Sequence, residues 1–340
     1  MITIRKAKVK DIPVKIITIE SAELKLSCMS LGASIINLES KDKDGEFESV
    51  VMRFDDLDQY DHSPLYLNQI VGPTAGRYFT GPYKLGSSSV KLDESNSAHL
   101  HGGANGISFK NFDVEVKDTN KVIFTTTVGE EDSFYPGTQT FTISYTVVDS
   151  ALQIDFEADT TEDTLINLTQ HAYFNLSGNL KNTIHDHQIM IDADKHVQLN
   201  EEFIPVQPTK VDGTHLDFRT ISTIKSHLTE EVFNRPENGV DNPLILSGDK
   251  MIKLYDPTSH RCLTVATNYP GVVVYTDNWD QGHSFASSTT RKLHSGICFE
   301  TQLIPNTYNI EGLSGDLLPK NEHYHYKTIY KFDVRDGIDD

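Results

Sequence analysis

The chain is poor in residues that staple, span or clamp. Its three cysteines, Cys28, Cys262 and Cys298, are odd in number, far apart and never in C-x-x-C spacing. Neither a disulfide framework nor a zinc cluster is therefore expected, and a reducing, cytoplasmic compartment is. Long apolar runs are missing: the longest, such as Gly271 to Tyr275, are strand-sized, well short of the about 18 residues of a membrane span. The N-terminal MITIRKAKVKDIPVK has basic residues with no apolar stretch behind them, so no secretory leader is expected. Positive charge is also short. With 30 Lys and Arg against 49 Asp and Glu, the formal net charge is −19. Such a chain would repel a phosphate backbone or an anionic lipid surface, so neither nucleic acid nor membrane is an expected partner. G-x-x-x-x-G-K-[ST], a strand-linked G-x-G-x-x-G, G-x-S-x-G and H-E-x-x-H are all absent. Nucleotide, dinucleotide, serine-hydrolase and zincin chemistry thereby lose their usual support.

What is present is alternation. Phe112, Val114 and Val116 alternate with polar residues, as do Phe141, Ile143, Tyr145 and Val147, and again Leu152, Ile154, Phe156 and Ala158. Such period-2 segments place apolar side chains on one face of a sheet. The last two are joined by Asp149-Ser150, which reads as a tight hairpin turn. Similar strands are expected at His187 to Ala193, Arg261 to Thr267, Gly271 to Asp277 and Tyr324 to Val334. Helical candidates are limited to Asp55 to Tyr60 and Ser222 to Phe233. The Pro-, Asn- and Asp-rich stretch from Glu201 to Asp249 reads as a long set of surface loops. The expected class is all-β.

Four segments carry chemistry. In Asn167-Leu-Thr-Gln-His-Ala-Tyr-Phe-Asn-Leu176, an extended backbone would put Asn167, Thr169, His171, Tyr173 and Asn175 on one face. In Gly296-Ile-Cys-Phe-Glu-Thr-Gln302, Cys298, Glu300 and Gln302 share a face, and the lone carboxylate is costly to bury unless it is paired or functional. Val71-Gly-Pro-Thr-Ala-Gly-Arg77 and His99-Leu-His-Gly-Gly103 are turn-forming segments that can present Arg77 and a His to a ligand. His99 and His101 have no identifiable third ligand, so no metal is expected. The close pairs His185/His187 and His323/His325 are expected at the surface.

Taken in order with Tyr135-Pro-Gly137 and Gly239-Val-Asp-Asn-Pro243, these segments resemble the galactose mutarotase (aldose 1-epimerase) family, and the match covers most of the chain. The resemblance implies a β-supersandwich, large antiparallel sheets with an open sugar-binding cleft, as one domain over residues 1–340. It implies His171 as general acid and Glu300 as general base. It further implies that Arg77, His101 and Asp241 hold the ring oxygen and hydroxyls of a small-molecule hexose, with no cofactor and no metal. Asn175 and Tyr173 share the expected polar face with His171 and count among the sugar contacts. The family's Y-T-x-N pattern recurs at Tyr275 to Asn278, which makes Trp279, the only tryptophan, a candidate for stacking on a sugar face.

The residue types suit the implied reaction, interconversion of the α and β anomers of D-galactose or D-glucose. The C1 hydroxyl must lose a proton while the ring oxygen gains one. At unperturbed values of about 4.3 for Glu and about 6.5 for His, the carboxylate is ionised and the imidazole readily protonated at neutral pH, which is the state required. Three alternatives remain beside it: a non-catalytic sugar-binding or regulatory protein, a glycoside hydrolase using Asp241 with Glu300, and a sugar-phosphate epimerase. The last would need several cations around the phosphate, and Arg77 is the only arginine in these motifs.

Overall fold

The alternating segments pair as their spacing predicts. Gln139–Val148 and Ala151–Thr160 form an antiparallel hairpin in which Val148 faces Ala151. Between them Asp149 takes a φ of +52°, the left-handed geometry that an aspartate tolerates in a tight turn. These coordinates are a computed structural model that describes residues 1–92, 98–233, 238–279, 285–286, 292–313 and 315–339.

The hairpin belongs to a nine-stranded sheet. Its order is Asp113–Asp118, Lys121–Val128, Gln139–Val148, Ala151–Thr160, His323–Val334, Arg261–Thr267, Ile252–Tyr255, Gln188–Ile191 and Ser222–Thr223. A six-stranded sheet runs Tyr173–Phe174, Ile297–Gln302, Gly271–Tyr275, Asp241–Leu246, Ala193–Leu199 and Pro205–Lys210. A five-stranded meander is formed by Ile2–Val9, Ile12–Glu20, Leu24–Met29, Ser34–Lys41 and Phe47–Ser49. Neighbouring strands in these sheets are antiparallel.

All three sheets feed one apolar cluster. Ile17, Leu26 and Ile35 come from the meander, Phe124, Ile143, Phe156 and Leu263 from the nine-stranded sheet, and Val272, Val274 and Phe299 from the six-stranded sheet. Each such side chain contributes about 1.5–3 kcal/mol when removed from water. In the six-stranded sheet the alternation does a second job. Val272, Val274 and Phe299 face the core, while Val273, Tyr275 and Glu300 line a cavity on the opposite face.

Several expectations need correction. The 167–176 segment is not one strand: only Thr169–Gln170 and Tyr173–Phe174 are extended, and they pair with different neighbours. All ten of its residues are buried, because the chain crosses between sheets here and packs on both sides. The first helical candidate shrinks to a 3-10 turn, Leu57–Tyr60, and the second splits into Ile224–His227 and Glu230–Phe233. The expected loops between Glu201 and Asp249 supply two strands of the six-stranded sheet, with residues 234–237 lying outside the described residues. His187 is buried rather than at the surface: its Nε2 accepts the Leu176 N–H at 3.0 Å.

Candidate active site

Two loops clasp to form one wall of the cavity. The short strand Arg77–Phe79 pairs with Ala98–Leu100, so Arg77 lies opposite Leu100 and His101 follows directly. The Gly76 N–H donates to His101 Nδ1 at 3.1 Å, and the His101 N–H donates to the Gly76 carbonyl at 3.1 Å. His101, Gly102 and Gly103 have φ of +54°, +81° and +72°. For a non-glycine residue this conformation persists only where the surroundings hold it. At Gly102 a Cβ would sit 2.1 Å from the Gly72 carbonyl oxygen. Gly102→Ala is therefore expected to lower stability by more than ~1 kcal/mol and to raise KM by displacing His101. Urea denaturation and saturation kinetics would check both, and an unchanged midpoint would show that the clasp has slack.

The opposite walls come from strands. The cavity measures about 350 Å³ and is lined by Arg77, His101, His171, Tyr173, Asp241, Tyr275, Trp279 and Glu300 among others, within the size range of small-ligand sites. His171 Nε2 and Glu300 Oε1 are 3.6 Å apart, and Arg77 pairs with Asp241 at 3.0 Å. The 3.6 Å gap is too long for a direct hydrogen bond, so each atom is free to face a bound oxygen. Around the His171 ring, Tyr173 stacks at 5.0 Å, His101 stands edge-on at 5.3 Å and Tyr275 edge-on at 6.2 Å.

Burial reverses the resting protonation that unperturbed values suggest. Desolvation pushes the Glu300 carboxyl well above the usual range, with repulsion from Asp241 adding and Arg77 opposing. Desolvation takes His171 down to about 4, against the pull of its own carbonyl and of Asp241. Burial also holds His101 well below the usual histidine range, helped by His171 and Arg77. Both members of the 3.6 Å pair are thus driven toward their neutral forms. The proton count is unaffected, since a neutral acid beside a neutral imidazole carries the same single proton as the ion pair.

His101, His171 and Glu300 each bring one ligating atom within 4.8 Å of the others, the donor set of a His2Glu metal centre. The tautomer of His101 opposes that use. Its Nδ1 lone pair is taken by the Gly76 N–H, so neutral His101 carries its proton on Nε2 and has no lone pair left for a metal. What it offers the cavity is one N–H donor.

Of the residues expected to meet a sugar, Arg77, His101, His171, Tyr173, Asp241, Trp279 and Glu300 line this cavity and Asn175 does not. The Asn175 amide donates to the Asn182 and Ser295 carbonyls and accepts from Ser177, so it fastens the strand end. Asn167 is likewise spent on the Ala75 and Leu303 backbones. Tyr173 commits its hydroxyl to the Leu65 carbonyl at 2.8 Å and offers only its ring. Trp279 is 44% exposed, at the rim. Sequence reasoning missed Tyr66, Phe203 and Tyr275 as wall residues. Tyr275 alternates with the core valines and could have been found. Tyr66 sits in an irregular turn at φ +48° and leaves no periodic signal.

A family profile described as aldose 1-epimerase matches residues 15–331. The galactose mutarotase of Bos taurus is 32% identical, covering 98% of this chain and all of that protein. The galactose mutarotase of Homo sapiens is 31% identical over 93% of each chain. Among solved structures, galactose 1-epimerase from Lactobacillus acidophilus superposes with a TM-score of 0.83 at 25% identity over 98% of each chain.

Proposed function

We propose, because the chain belongs to the aldose 1-epimerase family, that Glu300 is the base and His171 the acid of the family reaction. The enzyme interconverts α and β anomers of an aldose. D-Galactose is the substrate suggested by the relatives' names, and D-glucose is proposed beside it. The observation that carries the assignment is the buried His171–Glu300 pair in the cavity wall, 3.6 Å apart.

Glu300 takes the proton of the C1 hydroxyl, the O1–H electrons form the C1=O1 double bond, and the C1–O5 bond breaks. O5 receives the proton from His171 Nε2. Rotation about C1–C2 and reversal of these steps return the other anomer and both protons. Because O1 and O5 are both bonded to C1, an acid and a base this close together can serve them at once. The ring-opening step converts a buried ion pair into a neutral pair. Desolvation, which disfavours the ion pair, therefore makes Glu300 a stronger base and His171 a stronger acid. Only protons move, so the balance needs no cofactor.

Arg77, His101 and Asp241 are assigned to the sugar hydroxyls and ring oxygen, with the His101 Nε2–H as a fixed donor. Tyr173 is assigned as a wall and Trp279 as a rim contact. Three buried free cysteines support a reducing compartment. Among the described residues no helix is long and apolar enough to cross a membrane. Arg77 is the one Lys or Arg among the described lining residues and is already paired with Asp241. That composition favours a neutral sugar over a sugar phosphate, and it leaves Asp241 committed rather than available as a second glycosidase carboxyl.

Polarimetry on freshly dissolved α-D-galactose tests the proposal. Purified protein without additives should speed the approach to equilibrium rotation and release no nitrophenol from a nitrophenyl galactoside. A rate equal to the buffer blank would overturn it.

A further inference from the structure

The reaction requires one nitrogen of His171 to cycle its proton. If Nε2 gives its proton to O5 and later takes it back, Nδ1 must keep its own proton throughout. Whatever faces Nδ1 decides this. Cys298 does: its Sγ lies 3.5 Å from His171 Nδ1. Cys298 is fully buried, on the same face of Ile297–Gln302 as Glu300, so one strand brings a partner to each side of the imidazole.

We propose that Cys298 is a positioning residue whose sulfur accepts from the Nδ1–H of His171, fixing the tautomer that leaves Nε2 to work. This rests on His171 being the acid. The neighbouring side chains around the ring do not take this place. Glu300 faces Nε2, and Arg77 and Asp241 pair with each other. The hydroxyl of Tyr173 is committed to Leu65, and that of Tyr275 accepts the Asn278 N–H. His101 and Tyr66 meet His171 ring to ring, at 5.3 and 6.4 Å. The His171 carbonyl does share this side of the ring: it accepts the Asn68 N–H at 3.0 Å and also pulls on its own imidazole, and an oxygen that can only accept selects the same Nδ1–H.

A thiol can donate as well as accept; with the His171 carbonyl on the same side able only to accept, the proton goes to Nδ1 and the sulfur takes the role of a weak second acceptor. A carboxylate facing Nδ1 would orient the ring as firmly, but it would stabilise the imidazolium and blunt it as an acid. The sulfur thus holds the Nδ1–H with little gain in the basicity of the ring. Burial, with Glu300 and Asp277 nearby, pushes the Cys298 thiol well above its usual range. It therefore stays neutral and never becomes a thiolate that would trap the imidazolium.

The direct test needs no substitution. Long-range ¹H–¹⁵N NMR of the wild-type protein at neutral pH should show His171 protonated at Nδ1, and an Nε2–H signature would overturn the proposal. In Cys298→Ala the Nδ1–H signature should weaken and kcat should fall about tenfold, the scale for loss of a histidine-orienting partner. KM should stay within about threefold. Cys298→Ser should recover most of kcat and move the acid limb of the pH–rate profile upward, since a hydroxyl is the stronger acceptor. Wild-type kcat and pH profile in Cys298→Ala would refute the role. Normal turnover in His171→Asn would instead refute the acid assignment, so the two failures are distinguishable.

Discussion

Glu300→Gln is expected to lower kcat by ~10²–10⁴-fold, the range for loss of a positioned general base, with KM for galactose within a few-fold of wild type. The amide matches the carboxyl in size and cannot accept the C1 hydroxyl proton. The variant should fold as well as the parent or better, because it removes an ionisable group from a dry site. The sign of the pH dependence follows from the raised folded-state value of Glu300. Above about pH 4.3 the unfolded chain has released this proton while the native state keeps it. The associated stability is complete below that pH and is lost as pH rises toward the folded value. His171 runs the other way: with a folded value of about 4, its contribution is present above about 6.5 and lost as pH falls toward 4. Between about pH 4.3 and 6.5 the two slopes offset each other in the wild type, and Glu300→Gln removes one of them. Urea midpoints of variant minus wild type should therefore rise with pH from about 4.3 upward. A flat difference would mean that Glu300 titrates as it does in the unfolded chain.

His171→Asn should lose at least ~10²-fold in kcat, and pairing it with Glu300→Gln should cost little more than either change alone. One proton is handed round a single cycle, so removing either station stops the circuit and the free energies do not add. Polarimetry on the two single variants and the double variant closes the thermodynamic cycle. Independent, multiplying losses would mean that the residues serve different steps, and the 3.6 Å pairing would then be incidental to turnover.

The strands were legible wherever one face is buried and the other wet. Gln139–Val148 and Ala151–Thr160 begin and end within two residues of the alternating runs, and Arg261–Thr267 matches its run. Legibility failed where both faces are covered. From Asn167 to Leu176 polar side chains satisfy neighbouring backbone instead of solvent, so a row that read as a cleft face supplies only His171 and Tyr173 to the cavity. Order in sequence suggested which residues belong together, and the fold brings Arg77, His101, His171, Asp241 and Glu300 to one cavity. The reversed protonation of His171 and Glu300 could not be read in advance. It depends on how much water the finished sheets exclude, and a local sequence window carries no record of that.

The nine-stranded sheet has a consequence for how the protein is made. Its fifth and middle position is held by His323–Val334, the last of its strands in sequence, between Ala151–Thr160 and Arg261–Thr267. On the ribosome, the four strands from Asp113 to Thr160 can form their hairpins early but must wait with an unpaired edge for a segment made some 160 residues later. At about 5–20 residues per second that wait lasts roughly 8–30 s. An open sheet edge held that long is a template for wrong partners. Completion of the sheet therefore waits for that last strand, and the nascent chain is the form most in need of chaperone cover.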